Sequence, residues 1–242
     1  RRPLVNYTLV RWHLIASSIF LAISLLGGLA YSFQLNNMYP FAGVEWLSPG
    51  RVRMAHTNMA AYGFIANAFI AGMLFAIPRL TKRPILSDQL GLLIFVAWQL
   101  CMVLTLGGQL LGYGQAIEWG GTPIFVDPLI VVGLVLLVVN IAAPIVMTAE
   151  NGLYVTLWYF LAAFAWTGLV YFMGNYLPQF WVPGTAGAAI TGLYIHDLVG
   201  LFAGGEVTPG RPDLGRRVRA RHRHGVGRAA LVEQAGPLVE AH

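Results

Sequence analysis

The stretch RVRMAHTNMAAYGFIANAFIAGMLFAIP, residues 51–78, decides the fold of this chain. After Arg53 it is predominantly apolar, and it is long enough for a helix that crosses a hydrocarbon core, which needs about 20 such residues. Two arginines, Arg51 and Arg53, precede the apolar part, and His56 lies near its start. Hydrophobic residues make up 57% of the whole chain and charged residues 10%, unlike a soluble domain. We therefore predict an integral membrane protein.

Further apolar segments of similar length indicate an all-α, polytopic membrane helix bundle of about six transmembrane helices. The predicted spans are residues 12–36, 54–78, 88–113, 127–148, 153–176 and 187–204. Clusters of glycine, proline and asparagine separate them, as expected for the connections between helices. We treat residues 1–203 as one transmembrane domain.

The basic residues predict how the bundle is oriented. The N-terminus and the connection after the second span are basic, whereas the connections after the third and fifth spans contain no Lys or Arg. The positive-inside rule then predicts a multi-pass protein of the cell (inner) membrane with a cytoplasmic N-terminus. Arg51 and Arg53 fall on the outer side, against this rule. A bound anion would explain why they are there.

Residues 204–242 differ in composition from the rest of the chain. This Arg/Gly-rich tail contains no Ile, Phe, Lys, Trp, Tyr, Met, Ser or Asn. Such a composition is typical of a disordered basic segment or of an out-of-frame reading of a GC-rich gene, and we favour a frameshift or truncation. Most of the formal net charge of +5 lies in the tail, so the membrane part gives no indication of nucleic-acid binding.

His56 is a candidate haem ligand. An isolated membrane histidine is more often a hydrogen-bonded core residue, but Arg51 and Arg53 lie beside this one. A bound haem would explain all three residues, each of which is energetically unfavourable at a membrane helix: the His56 imidazole would ligate the iron, and the guanidinium groups of Arg51 and Arg53 would pair with the propionates. His13 is predicted to be an interfacial side chain at the opposite end of the first span, too far away to be the second axial ligand.

His196 lies some ten residues into the sixth predicted span. From the residues alone, a ligand role and a structural role are equally supported. A single imidazole does not hold copper or zinc, so any metal there must take ligands from elsewhere.

Three motifs resemble those of haem-copper oxidase catalytic subunits. Residues 50–57 (GRVRMAHT) and 66–71 (ANAFIA) resemble the second-helix signature. Residues 110–119 (LLGYGQAIEW) and 193–202 (LYIHDLVGLF) are similar to the segment after helix three and to the copper-ligand motif of helix six in cbb-type cytochrome c oxidases. The nitric oxide reductase large subunit is the next nearest resemblance.

The resemblance implies half of a fold of about twelve helices and a role for each motif residue. His56 would be an axial ligand of low-spin haem b, with Arg53 and Arg51 at its propionates. His196 would be a copper ligand, and Glu118 would lie near a calcium ion. High-spin haem and copper would be present only in the complete subunit. The implied partners are membrane lipid, cytochrome c-type electron-donor subunits and the remainder of the oxidase complex.

The implied function is a fragment of a terminal respiratory oxidase, which couples cytochrome c oxidation to reduction of O2 to water and to proton translocation. With one of three copper ligands and one of two low-spin haem ligands, this chain is expected to reduce no oxygen alone. Three alternatives remain open at this point: a nitric oxide reductase fragment, a haem b electron carrier completed by a partner, and a non-catalytic transporter or scaffold subunit.

Overall fold

The computed structural model describes residues 3–117, 119–148, 153–197 and 200, and every regular element within those ranges is helical. The helices are α1 Tyr7–Leu35, α2 Pro49–Thr81, α3 Asp88–Leu111, α4 Asp127–Val146, α5 Val155–Trp181 and α6 Gly184–Asp197. Helices α1 to α5 are each long and apolar enough to cross a membrane, which confirms the predicted polytopic helix bundle. The protein is an integral membrane protein. Helix α6 is the described part of the sixth predicted span, and the tail at 204–242 lies outside the described residues.

Local signals set where the helices begin and end. The Asn6 side chain accepts a hydrogen bond from the Leu9 amide at the start of α1, and Ser87 does the same for α3. Each bond satisfies an amide that has no partner within its helix. Helix α2 begins at Pro49, where a missing N–H does no harm. Helix α3 ends at Leu111 and is capped by Gly112, whose φ of +92° suits glycine best.

Helices α1, α2 and α3 run antiparallel to their chain neighbours. His13 contacts Asn67 at one end of the α1–α2 pair, and Ser24 contacts His56 towards the other. Arg51, at the start of α2, reaches the carbonyl of Leu110 at the end of α3. We call this end of the bundle the Arg51 end.

Helix α2 changes to π-helical geometry over Met59–Ile65 before it returns to α-helix. A π-helical segment shifts the backbone hydrogen bonds by one residue and frees carbonyl groups, which are costly without partners in a membrane. Here two neighbouring helices supply the donors. The Ser17 hydroxyl of α1 donates to the Phe64 carbonyl at 2.9 Å, and the Trp98 indole of α3 donates to the Tyr62 carbonyl at 3.3 Å.

The main core lies between α2, α3, α4 and α5, with Leu9 contributed by the start of α1, and it lies away from the Arg51 end. It is built from large aliphatic and aromatic side chains, including Ile77, Ile141 and Leu157. The outer faces of α1, α3 and α4 instead expose many apolar side chains, as expected of surfaces that meet lipid or other membrane helices.

The expectation that His13 is an interfacial side chain was wrong. Its exposed fraction is 1%, and its Nδ1 lies 2.8 Å from Oδ1 of Asn67 on α2. Asn67 is also bonded to the Gln99 amide of α3 at 2.9 Å. His13 is buried because the neighbouring helices supply a polar partner that its position in the sequence does not reveal.

Candidate cofactor site between the first two helices

His56 on α2 packs against Gly27 and Gly28 on α1. A Cβ atom added to Gly28 would lie 2.8 Å from Cε1 and 2.9 Å from Nδ1 of the imidazole. On Gly27 the nearest atom would be the His56 Cβ, at an ordinary contact distance of 3.4 Å. Gly28 therefore provides the space that the ring occupies.

The hydrogen bonds of His56 fix its tautomer. Nδ1 lies 2.7 Å from the Ser24 carbonyl oxygen, which only accepts, so Nδ1 must carry the proton and donate. The Ser24 hydroxyl donates to the His56 carbonyl at 3.0 Å and ties the two helices together again. In neutral imidazole this arrangement leaves a lone pair on Nε2. Metal-ligating histidines are typically oriented in this way by a carbonyl at the other ring nitrogen.

A large apolar groove begins at His56. Its volume is about 510 Å³, and it lies between α1, the start of α2, the end of α3 and the 36–48 connection. The lining residues are Ile23, Leu26, Gly27, Leu29, Ala30, Phe33, Pro40, Phe41, Leu47, Val52, Ala55, His56, Leu106 and Leu110. One nitrogen ligand on an otherwise apolar wall fits a flat, largely apolar metal macrocycle such as haem.

The two arginines occupy different positions. Arg53 is exposed and precedes His56 by one helical turn, so both side chains lie on the same side of α2. Arg51 donates to the Glu45 carboxylate at 2.7 Å and to the Leu110 carbonyl at 3.0 Å. Arg51 thus joins the 36–48 connection to the C-terminal end of α3, where a cation also interacts favourably with the helix dipole.

His196, the predicted copper ligand, is not among the residues that line the groove beside His56. His196 is exposed in the last turn of α6, and its neighbour Asp197 is half-buried. Glu118, the predicted calcium neighbour, lies outside the described residues. Within the ranges the structure describes, there is no group of three or more His, Cys, Asp or Glu residues that could hold a metal ion.

Sequence reasoning missed the residues that support His56. Ser24 and Gly28 are four positions apart and therefore share one face of α1. This small-residue pattern was present in the sequence. Small residues are common in membrane helices, however, and do not reveal which side chain of a neighbouring helix packs against them. Glu45 was missed as well, because an acidic residue in a connection is usually solvated.

The fold and the groove define a class: a polytopic helical membrane protein with an imidazole at the wall of a cofactor-sized groove. The sequence profile of the family described as "Cytochrome C and Quinol oxidase polypeptide I" matches residues 8–203. This chain belongs to that family.

Curated relatives agree with the family match. The chain is 25% identical over 207 residues to "Cytochrome c oxidase subunit 1" of Rhodobacter capsulatus, covering 80% of this chain and 38% of that protein. It is 24% identical over 206 residues to "Cbb3-type cytochrome c oxidase subunit CcoN1" of Stutzerimonas stutzeri, covering 81% and 43% respectively. The chain therefore spans about two fifths of the length of these relatives.

Proposed function

We propose that this chain forms part of the catalytic subunit of a terminal respiratory oxidase and binds a low-spin haem b through His56. The observation that carries this proposal is the His56 imidazole, whose Nδ1–H is held by the Ser24 carbonyl while the ring lines an apolar groove. Membership of the oxidase family over residues 8–203 supports the same cofactor. When bound, the haem would supply reversible one-electron chemistry.

The chain's own residues would bind and orient the cofactor. The Ser24 carbonyl holds the proton on Nδ1 of His56, which keeps Nε2 available as a ligand and fixes the plane of the ring. The apolar walls of the groove exclude water, which strengthens electrostatic interactions within it. Arg53 lies one turn from His56 and would neutralise propionate charge in a setting where unpaired anions are costly.

Arg51 would contribute to the site in two ways. As a second cation near the propionates it would assist Arg53. Its bonds to Glu45 and to the Leu110 carbonyl also hold the 36–48 connection, which forms one wall of the groove. Arg51 therefore stabilises the wall even when it contacts no propionate.

The remaining roles concern the complete enzyme. We propose that His196 is one of the copper ligands, that Glu118 lies near a calcium ion, and that the high-spin haem is held by the complete subunit. Cytochrome c-type subunits would donate electrons for the reduction of O2 to water, coupled to proton translocation. The Arg51 end would then face outward from the cell membrane, with the N-terminus in the cytoplasm.

Haem loading of the purified full chain tests the haem proposal. The detergent-solubilised protein is incubated with haem b, separated from free haem, and measured by a reduced-minus-oxidised difference spectrum with and without added imidazole as the second axial ligand. We expect about one haem per chain and a low-spin spectrum once imidazole is present.

Three variants identify the ligand. His56→Ala is expected to abolish retention of haem, whereas His196→Ala and His13→Ala are expected to retain it. Equal haem retention by His56→Ala and the parent chain would refute the proposal and would favour a non-catalytic membrane role for this chain.

A further inference from the structure

Asp127 is a buried acid that takes no part in the haem site proposed above. It is the first residue of α4, and its exposed fraction is 4%. Both carboxylate oxygens accept hydrogen bonds, Oδ2 from the Gln115 amide at 2.6 Å and Oδ1 from the Tyr171 hydroxyl at 2.9 Å. A buried carboxylate in a membrane protein is costly, even with such partners, so its presence needs an explanation.

The bonds of Asp127 join three parts of the bundle. Gln115 belongs to the 112–126 connection between α3 and α4, of which the structure describes every residue except 118. Nε2 of Gln115 also donates to the Thr122 carbonyl at 2.7 Å, which closes this connection on itself. Tyr171 belongs to α5. Asp127 therefore links the closed connection to the start of α4 and to α5.

The closed connection receives the Met54 side chain of α2. A Cβ atom on Gly114 would lie 2.6 Å from the Met54 sulfur, and one on Gly121 would lie 2.7 Å from the same sulfur. These two glycines directly precede Gln115 and Thr122, which are bonded to each other. We call Gly114 and Gly121 the glycine socket. The bond from Gln115 to Asp127 holds one side of this socket, and the bond to Thr122 holds the other.

The same connection contacts Arg51. A Cβ atom on Gly112 would lie 2.7 Å from Nη2 of the Arg51 guanidinium group. Arg51 and Met54 are three residues apart and therefore share one face of α2. The start of α2 thus packs on the 112–126 connection at two points, through the guanidinium group at Gly112 and through the thioether at the glycine socket.

We propose that Asp127 is a positioning residue, which holds the 112–126 connection in the conformation that seats Met54 and thereby fixes the position of Arg51. Asp127 acts through Gln115 and needs no contact with a cofactor. The effect on Met54 is independent of haem. The effect on haem rests on the proposed function, because it requires Arg51 to lie near the propionates.

Peroxide oxidation of Met54 in the purified full chain, without haem, tests the seating directly. Asp127→Leu places a side chain of similar size at this position that accepts no hydrogen bond, so the glycine socket should loosen. We expect Met54 to be oxidised several-fold faster than in the parent chain, as measured by peptide mass spectrometry. Met59, on the same helix and 0% exposed, should remain slow in both. An unchanged rate at Met54 would overturn the proposal.

Two further variants separate positioning from a general loss of stability. Asp127→Asn keeps an oxygen that accepts from Gln115 and an N–H that can donate to the Tyr171 oxygen, so it should restore slow oxidation of Met54. Asp88→Leu is the matched control, because Asp88 is the first residue of α3 and accepts a hydrogen bond from Asn6 at 2.9 Å. Equal acceleration at Met54 by Asp88→Leu and Asp127→Leu would overturn the proposal.

Tyr171→Phe keeps the proposal testable if Asp127→Leu does not accumulate as folded protein. It removes one of the two bonds to the Asp127 carboxylate and keeps the aromatic ring. We expect a smaller acceleration at Met54 than full loss of the carboxylate would give. If the rate at Met54 stays that of the parent chain, the proposal is overturned.

The reduction potential of the bound haem tests the step from Asp127 to Arg51. Loss of a negative charge near a haem raises its potential, whereas displacement of a cation lowers it, since the reduced haem carries one more electron. Asp127→Leu should therefore lower the potential, as Arg51→Gln should, and the double variant should be no lower than Arg51→Gln alone.

Asp127→Asn removes the charge but keeps the bonds, so it should not lower the potential. A potential that is unchanged or raised in Asp127→Leu would overturn the action through Arg51. If neither the parent chain nor any variant retains haem, the proposed function fails, and the oxidation of Met54 still decides whether Asp127 positions the start of α2.

Discussion

His13 and His56 lie at opposite ends of the α1–α2 interface, and each bonds across that interface through Nδ1. His13 extends from α1 to Oδ1 of Asn67 on α2 at 2.8 Å. His56 extends from α2 to the Ser24 carbonyl on α1 at 2.7 Å. Both are the kind of polar contact that joins membrane helices.

The two histidines differ in what surrounds the rest of the ring. His13 is 1% exposed, and the edge of its ring meets Phe95 with the centroids 4.9 Å apart. Its partner Asn67 belongs to a further amide pair with Gln99. His56 is instead half-buried and lines the apolar groove. Nδ1 is bonded in both histidines, so this bond does not distinguish them. His56 is the candidate ligand because its ring borders a groove, whereas the ring of His13 is enclosed by side chains.

The largest expected effect concerns that space. Gly28→Ala places a methyl group 2.8 Å from the His56 ring, so the imidazole must turn away from its present position. Because changes to groups that orient a metal ligand typically cost 10- to 100-fold in affinity, we expect haem affinity to fall by about that factor. Haem titration of the purified chain measures the change.

Gly27→Ala is the matched control for Gly28→Ala. The added methyl group lies 3.4 Å from its nearest neighbour, the His56 Cβ, which requires little adjustment. We expect haem affinity within a few-fold of the parent chain. If both alanine variants weaken haem binding equally, the groove rather than the ring position controls affinity, and the contrast between the histidines loses its basis.

Much of the fold could be predicted from apolar length alone. The span predicted at 54–78 is the central part of α2, which runs Pro49–Thr81. The helix extends past the apolar segment because Pro49 suits a helix start and Thr81 bonds to the Ile77 carbonyl. Hydropathy does not predict these helix ends, because it reports how apolar a segment is and not which hydrogen bonds form beyond the apolar segment.

Features that depend on distant partners were not predictable. The π-helical segment Met59–Ile65 needs donors from Ser17 and Trp98, which belong to other helices. The burial of His13 likewise depends on Asn67, which lies 54 residues away. His56 was predicted as a candidate ligand because its arginine neighbours are close in sequence. Ser24, which orients it, was missed because the contact is formed only by helix packing.

An intermediate effect is expected at the other histidine. His13→Leu removes one hydrogen bond between helices and leaves Asn67 bonded only to Gln99 and its own helix. Bonds of this kind contribute about 0.6 to 1.7 kcal/mol in membrane proteins, so we expect a loss of stability of about that size. Tm in detergent measures the loss, and haem affinity should not change.

His13→Gln provides the control, because a glutamine amide retains a donor towards Asn67 Oδ1. Its Tm is expected to lie between those of the parent chain and His13→Leu. A fall in haem affinity with either variant would show that the two ends of the α1–α2 interface are not independent. It would indicate that the substitution displaces α1 and thereby moves Ser24, which bonds to His56.

The smallest effect is expected where Arg51 meets Glu45. The Glu45 side chain is 83% exposed and that of Arg51 only 24%, so the ion pair is largely screened by solvent and contributes about 0 to 1 kcal/mol. Glu45→Gln should therefore change Tm very little. Arg51→Gln should lower it more, because the Leu110 carbonyl at the end of α3 also loses its donor.

Limited proteolysis of the 36–48 connection, followed with and without haem, separates the two contributions. Faster cleavage in Arg51→Gln alone is expected, because Glu45→Gln keeps an amide oxygen that still accepts a hydrogen bond from Arg51. Equal acceleration in both variants would place the stabilisation in the ion pair itself, and the wall of the groove would then depend on salt concentration.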